Sequence, residues 1–127
     1  ILNDVSARDV QTAHKQLYFG KSLDGFTPIG PCIVTADAFA DYPPRLGIRS
    51  FVNGEKRQDS NTALQIFDID HVIAELSQGM TLKAGTIIAT GTPAGVGMGM
   101  DPPQFLKPGD VVRCELDGIG TLTNPVE

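Results

Sequence analysis

Cysteine is scarce. Cys32 and Cys114 are the only two, far apart and without CxxC spacing, so reduced structural thiols in a cytosolic protein are expected rather than a disulfide. Basic residues are also few. Ten lysines and arginines are scattered along a chain of formal charge −5, which gives no electrostatic reason to expect nucleic acid or an anionic membrane as partner. No apolar run approaches the roughly 20 residues that span a bilayer, and no signal peptide, internal repeat, low-complexity segment or linker is found. The localisation expected is the cytoplasm, or the mitochondrion if the source is eukaryotic. The chain also lacks an initiator Met. It opens on Ile1-Leu2-Asn3-Asp4, which reads as the end of a buried strand, so a preceding segment is expected.

Glycine and proline, by contrast, are abundant. Fourteen of one and nine of the other in 127 residues predict frequent turns and few helices. The hydrophobic fraction of 41% and charged fraction of 20% are those of a soluble globular protein, and the length suits one domain, residues 1–127. Strands are predicted at Cys32-Ile33-Val34-Thr35, at Leu46 to Val52, at Glu55 to Gln58, at Thr86 to Thr90, at Val111 to Leu116 and at Ile119 to Asn124. Asn53-Gly54 is a strong hairpin signal, and Asp59-Ser60-Asn61-Thr62 reads as a run of turn formers. Ile69, Val72, Ile73 and Leu76 fall at i, i+3, i+4 and i+7, which predicts one amphipathic helix over about 69–78, capped by Asp68 or Asp70 and ended by Gly79 at C′. A mostly-β, α+β domain follows; a doubly wound α/β fold needs helices that are absent.

Chemistry has few obvious carriers. Thr90-Gly91-Thr92-Pro93-Ala94-Gly95-Val96-Gly97-Met98-Gly99 lacks the Gly-Lys-Ser/Thr ending of a P-loop, does not match GxGxxG and is followed by Asp101-Pro102-Pro103 instead of a helix. It suits a tight loop that brings backbone N–H groups and the Thr92 hydroxyl to a small ligand. His14 and His71 have no companions at metal-ligand spacing. His71 falls on the solvent side of the helix, and His14 reads as a solvated loop residue. No Gly-x-Ser-x-Gly elbow supports a serine hydrolase. Near the start, Asp4 or Ser6 suits the cap of a short helical turn, in which Asp4, Arg8 and Gln11 share a face. Spacing alone favours the cap for Asp4, since one carboxylate does not make a magnesium site, and Lys21 reads as a solvated loop lysine.

The joint pattern says more than its parts. Asn3-Asp4-Val5-Ser6-Ala7-Arg8-Asp9-Val10-Gln11 followed by Gly20-Lys21-Ser22 closely resembles the signature of the fumarylacetoacetate hydrolase family. The resemblance continues through Pro28-Ile29-Gly30-Pro31, Val52-Asn53-Gly54-Glu55, Gln58-Asp59-Ser60-Asn61-Thr62, Thr90 to Gly97, Phe105 to Asp110 and Gly120 to Asn124, in order, over essentially the whole chain. It implies a mixed β-sandwich roll, the C-terminal catalytic part of an enzyme that is usually a homodimer. It also implies a divalent metal, Mg²⁺, Mn²⁺ or Ca²⁺, with Asp4 matching one carboxylate ligand. Arg8, Gln11 and Lys21 match catalytic residues that bind substrate and steady developing negative charge, and Thr92 matches a threonine that contacts substrate. The family's Glu-x-Glu ligand pair has no counterpart here, because Glu55, Glu75, Glu115 and Glu127 stand alone, and its catalytic His does not match His14; both are expected upstream of Ile1. The activity implied is hydrolysis of a C–C bond in small 2,4-dioxo acids of acylpyruvate or fumarylpyruvate type, through an enolate. Relatives on the same fold decarboxylate oxaloacetate-type acids or isomerise 2-hydroxyhepta-2,4-diene-1,7-dioate. A non-catalytic or degenerate module is the reading from another class.

Overall fold

The computed structural model describes residues 1–127, the side chain of His14 excepted, so the reading of His14 as a solvated residue lies outside the described side chains. Its centre is a four-stranded antiparallel sheet in the order β2-β1-β3-β4, built from β1 (Gly47–Val52), β2 (Glu55–Asn61), β3 (Val111–Leu116) and β4 (Gly120–Pro125). Two helices accompany it, α1 (Arg8–His14) and α2 (Ile69–Ser77). The mostly-β class and the one clear helix read from the sequence are those observed.

Asn53 and Gly54 both take positive φ, 52° and 84°, as a two-residue hairpin turn requires. The turn is tied to the start of β3, because Asn53 Oδ1 accepts from the Val111 N–H at 2.9 Å and Asn53 Nδ2 donates to Asp110 Oδ1 at 2.8 Å. β2 runs three residues past its predicted end. Asp59, Ser60 and Asn61 pair with Arg49, Ile48 and Gly47 instead of turning. The ladder and the 3.5 Å Arg49–Asp59 ion pair outweigh the turn preference of those residue types.

Side-chain alternation gives the sheet two unlike faces. On one, Arg49 bonds Asp117 at 2.8 Å, and the Arg113 guanidinium lies 4.2 Å from the centre of the Phe51 ring. The other carries Ser50, Val52, Val112, Cys114, Leu122 and Asn124, matched across the strands by register. Val112 is the buried apolar centre of this face. The N-terminal segment closes on itself through a Leu2–Ile29 bridge and meets the sheet at Gly30, which lies beside Leu122.

Two predicted strands do not form. Cys32–Thr35 and Thr86–Thr90 pair with nothing, and Ile33 and Ile87 are 91% and 63% exposed. Their β-branched composition signals a demand for a strand neighbour, and no segment within these 127 residues supplies one. On α2, Asp68 Oδ1 accepts from the His71 N–H at 2.7 Å, which is the predicted cap. Gly79 does not take the left-handed conformation expected at C′; the helix closes instead through Gln78 in right-handed geometry. His71 is exposed, as predicted, and stacks on Phe67 at 4.9 Å.

Candidate functional site

Four of the five predicted site residues gather at the start of the chain. The helix begins only at Arg8, with Ala7 as its cap and no side chain bonded there, so Asp4 and Ser6 do not cap it. Their oxygens are engaged elsewhere. Lys21 Nζ donates to Asp4 Oδ2 at 2.5 Å and to Ser6 Oγ at 3.0 Å. Asp4 therefore joins the group through an ammonium, not through helical period, and the predicted shared face reduces to Arg8 and Gln11. Arg8 Nη1 donates to Gln11 Oε1 at 3.1 Å, and Gln11 Nε2 donates to the Leu17 carbonyl at 3.0 Å. Both ends of the Gln11 amide are thus engaged, and the residue is 6% exposed. Arg8 keeps four further N–H donors on a rigid fork, the geometry that matches a carboxylate.

Gly20 permits this assembly. Its carbonyl accepts from the Ala7 N–H at 2.8 Å. A Cβ there would stand 2.7 Å from the Ala7 carbonyl oxygen and drive into the Gln11 side chain. The next residue, Lys21, is aimed at Asp4 because the Phe19–Lys21 turn packs directly on α1. Lys21 and Asp4 are each about one-third exposed, open to a ligand from solvent.

Thr92 is held by a different set of contacts. Its Oγ1 accepts from Gln58 Nε2 at 2.8 Å, the same nitrogen donates to the Pro93 carbonyl at 2.8 Å, and Ser50 Oγ donates to Gln58 Oε1 at 2.7 Å. None of these bonds links Thr92 to the Asp4 group. Ser6, Ser50 and Gln58 are the polar residues that sequence reasoning passed over. In the sequence Ser6 reads only as a cap. Gln58 and Ser50 stand opposite one another on the same sheet face, a relation visible only once the hairpin register is known.

The donor set does not by itself fit a divalent ion. Mg²⁺ and Ca²⁺ take six or more oxygen ligands. Among the described residues, no three His, Cys, Asp or Glu side chains come together as a metal site would need. Asp4 offers one carboxylate, already facing an ammonium. A shallow groove along α2, lined by Phe67, His71, Val72, Glu75 and Leu76, contains none of the predicted site residues. Among the described residues no helix is long and apolar enough to cross a membrane.

Known proteins resemble this chain throughout its length. The family profile for the C-terminal part of fumarylacetoacetate (FAA) hydrolase matches residues 1–127. Oxaloacetate tautomerase YisK of Bacillus subtilis is 50% identical over 126 residues, 99% of this chain and 42% of the relative. Among solved structures, fumarylacetoacetate hydrolase from psychrophilic Exiguobacterium antarcticum superposes with a TM-score of 0.94 at 53% identity, covering 99% of this chain and 45% of that one. A 2-hydroxyhepta-2,4-diene-1,7-dioate isomerase from Mycobacterium marinum gives 0.84 at 44%, covering 98% and 45%. The chain thus spans less than half the length of these relatives. With the signature residues of its first 21 positions brought together and its fold matched from end to end, the chain belongs to the fumarylacetoacetate hydrolase family.

Proposed function

We propose that the protein of which these residues form the described part is an enzyme that forms and stabilises the enolate of a small 2-oxo dicarboxylic acid. The observation that carries this reading is the packing of the Phe19–Lys21 turn on α1, which places Lys21 against Asp4 and Ser6 beside the helix that carries Arg8, itself bonded to Gln11. When a proton leaves the carbon beside a 2-oxo group, the electron pair moves onto the oxygen. Lys21 is the group suited to meet that charge, Arg8 is suited to a substrate carboxylate, and Thr92 adds a neutral donor. Relatives named for oxaloacetate tautomerisation and for dienedioate isomerisation favour enol–keto tautomerisation or isomerisation over the C–C hydrolysis that the sequence put first. Hydrolysis of 2,4-dioxo acids is the second reading, supported by the 53% identity to a structure named as a fumarylacetoacetate hydrolase. Both share the enolate.

A Mg²⁺, Mn²⁺ or Ca²⁺ ion belongs to the proposal for the whole protein, with Asp4 as one ligand, and would add positive charge at the enolate oxygen. A cytoplasmic homodimer is likewise part of it. The test is an assay of the full-length protein with each metal against oxaloacetate, followed by enol absorbance and by CO₂ release, and against acylpyruvates. Tautomerisation is expected to be fastest. Lys21→Met is expected to lower kcat about 100-fold or more, the usual loss for one oxyanion donor, and Asp4→Ala to abolish metal-dependent turnover. Near-normal activity in either variant would defeat these roles. Silence of the wild type across the whole panel would support a non-catalytic module.

A further inference from the structure

We propose that Gln58 is a positioning residue that sets the direction of the Thr92 hydroxyl hydrogen, so that Thr92 acts as a donor to an anionic oxygen of the ligand. The proposal rests on the reading of Thr92 as a substrate contact and extends it to a second layer. Proton bookkeeping carries it. The Pro93 carbonyl can only accept, so the Gln58 side-chain atom 2.8 Å away must be the amide nitrogen, which fixes the orientation of the amide. Its other hydrogen then goes to Thr92 Oγ1, also at 2.8 Å. The Thr92 oxygen is therefore an acceptor from the protein, and its single hydrogen is left to point elsewhere. Thr92 is exposed, so that hydrogen faces whatever enters from solvent.

The amide is itself held. Ser50, on central strand β1 and directly across the ladder, donates to Gln58 Oε1 at 2.7 Å. This leaves neither end of the Gln58 side chain free to turn. The loop that carries Thr92 is fixed to the same stretch of β2 a second time at Gly95, whose φ is +106°. A Cβ there would collide with the Arg57 carbonyl and stand 3.1 Å from Gln58 Cγ, so only glycine allows the loop to lie so close. Hydroxyl direction and loop position are thus both set by β2. A hydroxyl hydrogen presented this way suits a carboxylate or enolate oxygen.

Oxalate, a planar anionic mimic of a 2-oxo acid enolate, serves as the probe. It is titrated calorimetrically into the full-length protein in Mg²⁺ buffer and into Gln58→Glu, Gln58→Met, Thr92→Val, Thr92→Ser and Lys21→Met variants. A carboxylate at position 58 has no hydrogen to give and turns the Thr92 hydrogen back toward the strand. Gln58→Glu and Thr92→Val are each expected to weaken oxalate about tenfold, the effect of one hydrogen bond to a charged group, and Thr92→Ser to retain binding. Gln58→Met, which keeps length without charge, is expected to weaken it too. In a Thr92→Val background neither change at position 58 is expected to add anything. Full additivity there, or wild-type binding in both Gln58 variants, overturns the proposal. Loss of binding in Lys21→Met with no coupling between positions 58 and 92 would leave the proposed site standing and remove Gln58 from it. Coupling with Lys21→Met unaffected would do the reverse, and a wild type that ignores oxalate at millimolar concentration overturns both.

Discussion

Asp110 accepts from Asn53 Nδ2 and from the Lys107 N–H, both at 2.8 Å, and these bonds hold its carboxyl below the ordinary value. Asp117 is lowered in the same way, first by its hydrogen bond from Arg49 and also by the Gly47 N–H at 3.1 Å. A carboxyl lowered by folding binds fewer protons folded than unfolded. Its contribution is therefore fully present above the ordinary carboxylate range, near about pH 4, and is lost as pH falls through the lowered value. The thermal midpoint of the full-length protein is expected to drop on acidification below about pH 4, and the Asp110→Asn/Asp117→Asn double variant to show a shallower drop. An unchanged acid limb in that double variant would show that these two groups do not govern it. The expected site residues stood out in the sequence only through the family resemblance. Lys21 by itself reads as a solvated loop lysine, and nothing local predicts that the turn after Phe19 aims it at a carboxylate 17 positions away.

At the scale of elements, α2 shows what local chemistry decides and what it leaves open. Asp68 caps it by accepting from the His71 N–H, so Asp68→Ala is expected to destabilise by about 1 kcal/mol, the usual value of an N-cap. Denaturant melts of the full-length protein with the m-value unchanged would check this, and a midpoint indistinguishable from wild type would show the cap to be idle. Helix period, cap and hairpin turn were readable because each depends on residues within a few positions of one another. The unformed strands Cys32–Thr35 and Thr86–Thr90 were misread because strand formation depends on a partner, which periodicity cannot supply. The relay from Ser50 through Gln58 to Thr92 was invisible for a related reason. It joins a strand, its neighbour and a loop more than thirty positions away, and each member alone looks like an ordinary polar residue.

At the scale of the whole molecule, the chain's exposed surface is 9014 Å², whereas a compact monomer of 13.5 kDa is expected to show about 6,500 Å². The excess of roughly 2,500 Å² is not merely polar. Ile33, Ile66, Leu64, Leu17 and Ile87 are between 63% and 92% exposed, and the apolar stripe of α2 has no buried residue. Among the described residues Val112, at 6% exposed, is the one buried apolar side chain. A sheet can form on such a base, because its backbone bonds are satisfied strand to strand, but its stability needs apolar burial that these residues do not provide for one another. The 127-residue chain expressed by itself is therefore expected to bind a hydrophobic dye strongly and to melt without a sharp transition, while the full-length protein does neither. Unpaired strand-like segments such as Thr86–Thr90 would also make it prone to aggregate. A cooperative melt and negligible dye binding in the isolated chain would mean that it covers its own apolar surface in solution.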